Sequence, residues 1–296
     1  MFNSIRSIKT FTIIGAVFGI IVTLVGMFFL LFDVLKDLDL AIIFASLVVF
    51  FGSLTIGFSI YIIVFASRTD DETFANNRFI LMLFSLSVGG LLTPYLLMKL
   101  PNTNVTTTIQ PRVAISKGYG TSFFASGLAT LATFFALTLT SETGLEAALT
   151  GTNKYAYIAI VAVSGVAFLW GLINVITFFG KQVDENFEKE GNTHNWMMVI
   201  STINLIIGTI TLIWIIINSV LSIIAAIMDL FDRRRGFLMA ILNGALIALR
   251  IAMYCFIIYT ASQCIKGIWS KKGYTYGNYQ NLTSRQQEFN NSRERG

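Results

Sequence analysis

The stretch FILMLFSLSVGGLLTPYLLM, residues 79–98, decides how many times the chain can cross a lipid bilayer. Its 20 residues carry no charged side chain, and at 1.5 Å per residue a straight helix of this length would span the roughly 30 Å of a bilayer core. Gly89, Gly90 and Pro94 fall in its second half, however, and these residues weaken a helix and suit a segment that breaks or turns back. The stretch therefore predicts either a span kinked at proline or a re-entrant segment.

Six further apolar runs accompany this stretch. Only 12% of the 296 residues are charged, 55% are hydrophobic and the mean hydropathy is +0.71, whereas an ordinary soluble domain has about 25% charged residues. These values predict an integral membrane protein of the all-α class, a polytopic bundle of transmembrane helices. Besides residues 79–98, the predicted spans are Thr10–Phe32, Leu40–Ala66, Gly118–Thr140, Tyr155–Gly180, Trp196–Phe231 and Gly236–Ile265.

The basic residues between the runs bear on the number of spans, because cytoplasmic loops of membrane proteins are enriched in Lys and Arg. Seven spans with the N-terminus outside would place 12 basic residues in the cytoplasm and 8 outside. Six spans, with residues 79–98 re-entrant and both ends inside, would place 15 in the cytoplasm and 5 outside. The charges favour six spans, whereas kinked spans are commoner than re-entrant segments. We predict seven spans, with six plus a re-entrant segment as the alternative, and a cytoplasmic C-terminal tail in both.

The chain divides into an N-terminal tail at 1–9, a transmembrane bundle at 10–265 and a basic, Tyr-rich, disordered cytoplasmic tail at 266–296. No connection between spans could hold a soluble domain, because the largest is the 19 residues between Met98 and Gly118. The net charge of +5 is scattered through loops and tails and forms no dense basic stripe, so nucleic acid is excluded as a partner. The expected partners are the lipid bilayer of the cell membrane and other membrane or cytoplasmic protein subunits.

Several kinds of catalysis lack their residues. The chain has no phosphate-binding GxxxxGK(S/T) loop, so it does not hydrolyse nucleotide by that route. His194 is the only histidine, and Cys255 and Cys264 form no metal-binding set, which excludes zinc chemistry and a histidine-based triad. We therefore predict that the protein is not an enzyme and has no catalytic residues, no metal site and no cofactor.

The sequence also resembles a group of membrane proteins. Its spans are rich in Ile and Phe, its loops are rich in Asn and Thr, and it carries the segment GGLLTPYLLMKLPN at residues 89–102. In this composition it resembles uncharacterised multi-pass membrane proteins of AT-rich bacteria such as mollicutes. The resemblance implies a multi-pass membrane protein and no particular activity.

One basic residue lies deep within a predicted span. Arg250 is 15 residues after Arg235 and 16 before Lys266, so it lies roughly 22–24 Å from either along a straight helix. Asn243 and Tyr254 lie seven residues before it and four after it, which places all three residues on one face of the helix. The pattern predicts a polar face at the middle of the membrane.

A charge at this depth needs polar partners, because inserting Arg at the centre of a span costs about 2.5–3.5 kcal/mol on insertion scales. No acidic residue lies deep within a predicted span, since Asp229 stands at the end of its run, so the expected partners of Arg250 are Asn204, carbonyls freed near residues 90–94, water or an external anion. Three interpretations remain: Arg250 fixes helix packing, it lines an anion or water pathway, or it lies at an interface because the run is misplaced. The candidate binding residues are Arg250, Asn243, Tyr254 and Asn204.

Two functional classes are consistent with these features. The first is a transporter or permease-type subunit that lacks its own ATPase, because multi-pass proteins without soluble domains are most often transporters. The second is a structural or assembly subunit of a membrane protein complex.

Overall fold

The chain folds into a bundle of helices in the computed structural model, which describes residues 4–34, 41–100, 109–140, 146, 150–151, 153–180, 183, 191–230 and 237–269. No β-strand occurs among these residues. The predicted tail beyond Trp269 lies outside them, and α1 begins within the segment assigned to the N-terminal tail. The helices are α1 (Ile5–Val34), α2 (Ala41–Arg68), α3 (Asp71–Asn76), α4 (Arg78–Ser87), α5 (Leu92–Met98), α6 (Pro111–Thr140), α7 (Lys154–Phe178), α8 (Asn192–Leu230) and α9 (Phe237–Ile268).

Six of these helices are long and apolar enough to cross a membrane: α1, α2, α6, α7, α8 and α9. They coincide with six of the seven predicted runs, so the prediction of an all-α, polytopic bundle is confirmed. The longest, α8, has 39 residues and an axial length of about 58 Å, which exceeds the thickness of a bilayer core.

The seventh run, residues 79–98, is not a single span. It consists of α4 with 10 residues and α5 with 7, and neither is long enough to cross a bilayer. The chain turns between them at Gly89, whose φ of +77° is a conformation that glycine adopts without strain. Arg78 at the start of α4 donates from Nη1 to the carbonyl of Leu100, just beyond α5, at 2.7 Å. Because its two ends meet, this segment is a re-entrant hairpin, and the prediction of seven spans gives way to its alternative.

The hairpin starts and finishes at the end of the bundle that also holds both termini of the described chain. Lys9 in α1 donates from Nζ to the carbonyl of Thr69, just after α2, at 2.6 Å. Cys264 in the last turns of α9 donates from Sγ to the carbonyl of Phe79 at 3.2 Å. We call this end of the bundle the base end. Both ends of the described chain therefore lie at one end of the bundle, as six crossings and one returning hairpin would require.

The main hydrophobic core forms around α4. Residues 80–84 of this helix are each 1% exposed or less, so α4 is buried on all sides. Phe84 stacks on Phe58 of α2 with ring centroids 4.8 Å apart and meets Tyr119 of α6 edge to face at 5.4 Å. The first helix of the hairpin is thus a central element of the bundle.

Small residues allow α6 and α7 to pack closely. A Cβ atom on Gly127 would lie 2.5 Å from the backbone nitrogen of Phe168, and one on Gly171 would lie 2.2 Å from the backbone nitrogen of Phe124. The two backbones are therefore in contact at both places, as small residues at helix interfaces in membranes permit.

Candidate functional site

Arg250 lies on the surface of α9 and pairs with an acidic residue. Its Nη1 is 3.5 Å from Oδ2 of Asp229 in the last turn of α8, and the two side chains are 50% and 58% exposed. The sequence offered no acidic partner for Arg250 because Asp229 stands at the end of its run. That expectation is wrong, because α8 and α9 lie side by side with the end of α8 next to the middle of α9.

The other candidates on α9 are only partly described. Tyr254 lies one turn beyond Arg250 and is half-buried. Asn243 belongs to α9, but its side chain lies outside the described residues. The shared polar face of these three residues therefore stays a prediction.

Asn204 is fully buried where α6, α7 and α8 meet. Its Nδ2 donates to Oγ of Ser116 at 3.0 Å and to Oδ1 of Asn174 at 2.6 Å. Trp170 donates from Nε1 to Oδ1 of Asn204 at 2.9 Å. Ser116 in turn donates to the carbonyl of Arg112, and Asn174 donates to the carbonyl of Trp170. This network ties three helices together and uses both polar atoms of the Asn204 amide.

The structure does not bring Asn204 and Arg250 together. Asp229, the partner of Arg250, is 25 residues beyond Asn204 on the same helix, which corresponds to about 37 Å along its axis. Asn204 binds side chains of α6 and α7, whereas Arg250 lies beside the last turn of α8. The candidate binding residues thus belong to two separate places.

A cavity of about 570 Å³, including the space at its mouth, lies between α1 and the re-entrant hairpin. We call it the polar cavity, because hydroxyl-bearing residues of α1, α4 and α5 line it together with the chain at the hairpin turn. The hydroxyl-bearing residues are Thr12, Thr23, Ser85 and Thr93, and the glycines are Gly15, Gly19, Gly89 and Gly90.

Two of these glycines bring the hydroxyl groups close to the backbone. A Cβ atom on Gly15 would lie 2.7 Å from Oγ1 of Thr93, and one on Gly90 would lie 2.5 Å from Oγ of Ser85. Any side chain at either position would displace these hydroxyl groups. The glycines therefore position α5 against α1 and the hairpin turn against α4.

The hydroxyl of Thr12 has no hydrogen-bond partner, although the residue is fully buried. Thr10 and Thr23 of the same helix donate their hydroxyl protons to carbonyls four residues earlier, at 3.1 and 2.8 Å. A buried polar group without a partner costs about 1–3 kcal/mol. Thr12 therefore contributes an unused hydrogen-bonding group to the wall of the polar cavity, one of seven such buried side-chain atoms among the described residues.

A second, shallow cavity lies on the other side of α5, against α9; it is open to the surface, and its volume of about 740 Å³ includes the space outside its mouth. We call it the apolar cavity, since its described lining residues are all hydrophobic or aromatic. Tyr95 and Phe256 meet across it edge to face, with ring centroids 5.9 Å apart. Helix α5 thus separates a cavity whose lining includes hydroxyl groups from one whose described lining is wholly hydrophobic or aromatic.

Sequence reasoning did not predict Thr12, Ser85 or Thr93 as site residues. The available signal was the pair Gly89–Gly90 followed by Pro94, which indicated a break without showing which helix would lie beside it. The hydroxyl groups come together only when α1 packs against the hairpin.

Comparison with known proteins gives no relative: no protein-family model, curated protein or solved structure matches the chain. The resemblance to membrane proteins of AT-rich bacteria stays a prediction.

Proposed function

We propose that the protein is a transport protein of the permease type, without an ATPase of its own, and that its solute passes the re-entrant hairpin. The observation that carries this proposal is the polar cavity beside Gly89, where the helix is interrupted inside a bundle of apolar helices. Non-helical backbone at membrane depth is tolerated only where protein buries it or where it lines a cavity. Hydroxyl groups and a broken helix at this depth are typical of a solute pathway.

The proposed orientation places the base end in the cytoplasm of a cell. With six spans and a returning hairpin, 15 basic residues fall on the side of the base end and 5 on the other. The excess of Lys and Arg favours a cytoplasmic base end and hence a cytoplasmic C-terminal tail.

Access of water to the hairpin tests the proposal without knowledge of the solute. Thr93 lines the polar cavity and is 6% exposed, and Thr93→Cys is a small change in volume. In a background with Cys255→Ser and Cys264→Ala, we expect the membrane-impermeant thiol reagent MTSES to modify Thr93→Cys in proteoliposomes.

The matched control is Val166→Cys, at a 67% exposed position in the middle of α7. It should face hydrocarbon and resist MTSES, because the reagent needs water and a thiolate. Equal resistance of Thr93→Cys and Val166→Cys would mean that the hairpin is dry, and the transport proposal would fail.

An assembly function is the second candidate, and the exposed Arg250–Asp229 pair favours it. The two charged side chains are half-exposed beside neighbours such as Leu249 and Met253, which are 59% and 41% exposed. A subunit that covered this surface would shield the pair. We expect Arg250→Ala to release a subunit that co-purifies in mild detergent and Val166→Ala to retain it; co-purification unaffected by Arg250→Ala would remove this support.

A further inference from the structure

The polar cavity offers hydrogen bonds but no charge. Its described lining residues include Thr12, Ser85 and Thr93 and no Asp, Glu, Lys, Arg or His. Placing an unpaired ion in such an environment carries a large desolvation cost. The part of a ligand that enters this cavity is therefore uncharged and has groups that donate or accept hydrogen bonds.

The mouth of the polar cavity faces sideways, toward the lipid. Phe18 and Val22 of α1 line the cavity, yet they are 65% and 52% exposed on the outer surface of the bundle. Few residues of α1 are buried, and in a membrane its outer face would contact acyl chains. A ligand can thus enter the cavity from the bilayer without passing through the centre of the protein.

With the base end at the membrane surface, the shallow end of the polar cavity would lie near the level of the lipid headgroups. Lys9 bonds to Thr69 and Asp71 at the base end, and Thr12 follows Lys9 by three residues, or about 4.5 Å along α1. Val22 lies about 20 Å from Lys9, so the cavity extends from this level toward the middle of the bilayer. Ester and hydroxyl groups of a lipid occupy the shallow part of this range, and its chains occupy the deep part.

The apolar cavity provides room for a hydrocarbon chain on the opposite side of α5. Leu92 and Tyr95 of α5 and Met253 and Phe256 of α9 line it. The polar cavity is lined by residues 88–90 of the hairpin turn, and the apolar cavity by the next two residues, 91–92. The hairpin turn therefore has hydroxyl groups on one side and apolar side chains on the other.

We propose that the hairpin turn binds a neutral acylglycerol-type lipid, with its glycerol hydroxyl or ester groups at Thr12, Ser85 and Thr93. Thr12 supplies the hydrogen bond that the chain itself leaves unused. The inference rests on the proposed function, because it names the substrate class for the site on the transport path.

Photolabelling of the full chain in phosphatidylcholine nanodiscs tests this proposal. The probe is a diazirine-bearing diacylglycerol, and the competitors are dioleoylglycerol, dioleoylphosphatidylglycerol and glycerol. We expect labelled peptides from α1 and α5, and competition by dioleoylglycerol at concentrations at which the other two have no effect. Equal competition by the two lipids would indicate ordinary boundary lipid and overturn the proposal, and competition by glycerol alone would indicate a water-soluble ligand and overturn it as well.

Two pairs of variants make the test specific. Thr12→Val removes one hydroxyl without changing the volume and should weaken specific labelling about fivefold, the effect of one hydrogen bond. Its control is Thr130→Val. This variant also loses a buried hydroxyl, but Thr130 does not line the cavity and its hydroxyl donates to the carbonyl of Ser126 within α6. Unchanged labelling of Thr12→Val relative to Thr130→Val would overturn the proposed contact.

The second pair fills the cavity from α1. Gly19 lines the polar cavity, and a Cβ atom on it would lie 3.5 Å from Oγ of Ser59 in α2, whereas a Cβ atom on Gly26 would meet nothing within 4 Å. Gly19→Leu should abolish specific labelling and Gly26→Leu should retain it, with thermal unfolding confirming that both variants fold. Labelling of Gly19→Leu at the level of Gly26→Leu would overturn the location of the site.

The outcome is distinguishable from that of the proposed function. Specific lipid labelling with a dry Thr93→Cys would support the lipid site and reject transport along the hairpin. An MTSES-reactive Thr93→Cys without specific lipid labelling would support a hydrated path and overturn the lipid as its substrate.

Discussion

Replacing Asn204 by alanine removes three hydrogen bonds from the interior of the bundle. The N–H of Trp170 and Oδ1 of Asn174 lose their partner, whereas Ser116 keeps its bond to the carbonyl of Arg112. A side-chain hydrogen bond in a membrane protein contributes about 0.6 kcal/mol, so loss of the three bonds should lower the free energy of unfolding by at least about 2 kcal/mol. Each buried group without a partner costs about 1–3 kcal/mol, which raises the expected loss of unfolding free energy to about 2–5 kcal/mol.

A double-mutant cycle tests whether this loss arises from the network. Asn174→Ala removes the 2.6 Å hydrogen bond to Asn204. In the double variant it also removes Oδ1 of Asn174, the acceptor that Asn204→Ala alone leaves unpaired. We therefore expect the double variant to be less destabilised than the sum of the single variants, by about 1–3 kcal/mol. The measurement is the free energy of unfolding in mixed micelles of mild detergent and SDS.

Thr130 provides the control for this cycle. Its hydroxyl is buried but donates within α6 to the carbonyl of Ser126 at 2.8 Å, so Thr130→Ala and Asn204→Ala share no partner. Their effects should add within about 0.5 kcal/mol. Additive effects in the Asn174–Asn204 cycle as well, or a loss below about 1 kcal/mol for Asn204→Ala, would refute the network as a joint that holds α6, α7 and α8 together.

Three further predictions concern packing, capping and charge. A Cβ atom on Gly171 would lie 2.2 Å from the backbone of α6, whereas one on Gly165 would meet nothing within 4 Å. In the same unfolding assay, Gly171→Ala should therefore lower the free energy of unfolding by more than about 2 kcal/mol. Gly165→Ala should leave it unchanged or raise it. Asp70 caps α3, and Asp70→Ala should cost about 1 kcal/mol while Asp70→Asn retains most of the cap. Burial acts to raise the pKa of Asp70, but hydrogen bonds from the first turn of α3 outweigh it, so the pKa is lowered in the folded protein. The stabilisation by the Asp70 cap should therefore be complete above the ordinary Asp pKa of about 3.9 and should disappear as the pH falls through the lower folded-state pKa. Arg250→Gln and the double variant with Asp229→Asn should each change stability by less than about 1 kcal/mol, because both side chains are half-exposed; a loss above about 2 kcal/mol would mean that the pair is desolvated.

Sequence patterns predicted the long helices well because each carries its own evidence, a run of apolar residues longer than a bilayer core is thick. Residues 79–98 satisfied the same criterion and yet fold as a hairpin. What distinguishes them is the turn at Gly89 and the bond from Arg78 to the Leu100 carbonyl, and the second of these is a contact between positions 22 residues apart. Glycine and proline indicated where the chain could turn, but only the packing of α4 in the core shows that it does.

The polar groups of the interior were harder to predict. Asn204 was named in the sequence analysis only as an expected partner of Arg250. Its partners, Ser116 and Asn174, lie 88 and 30 residues away and looked like ordinary small polar residues of their spans. Asn204 has polar contacts, but with Ser116, Trp170 and Asn174 and not with Arg250, the partner that was expected for it.

The pairing of Arg250 depends on a quantity that a single sequence does not contain, the offset between two antiparallel helices. Position within an apolar run measures distance along one helix only, and by that measure Asp229 is at an end and Arg250 is deep inside. Trp269 donates to Thr209 at 2.9 Å, and Arg250 contacts Asp229 at 3.5 Å, so the two contacts are 20 residues apart on α8 and 19 apart on α9. The helices therefore stay in register along this length, and the end of α8 meets the middle of α9. Because Asp229 balances the charge of Arg250 within the chain, the depth of Arg250 in its apolar run does not by itself indicate a ligand.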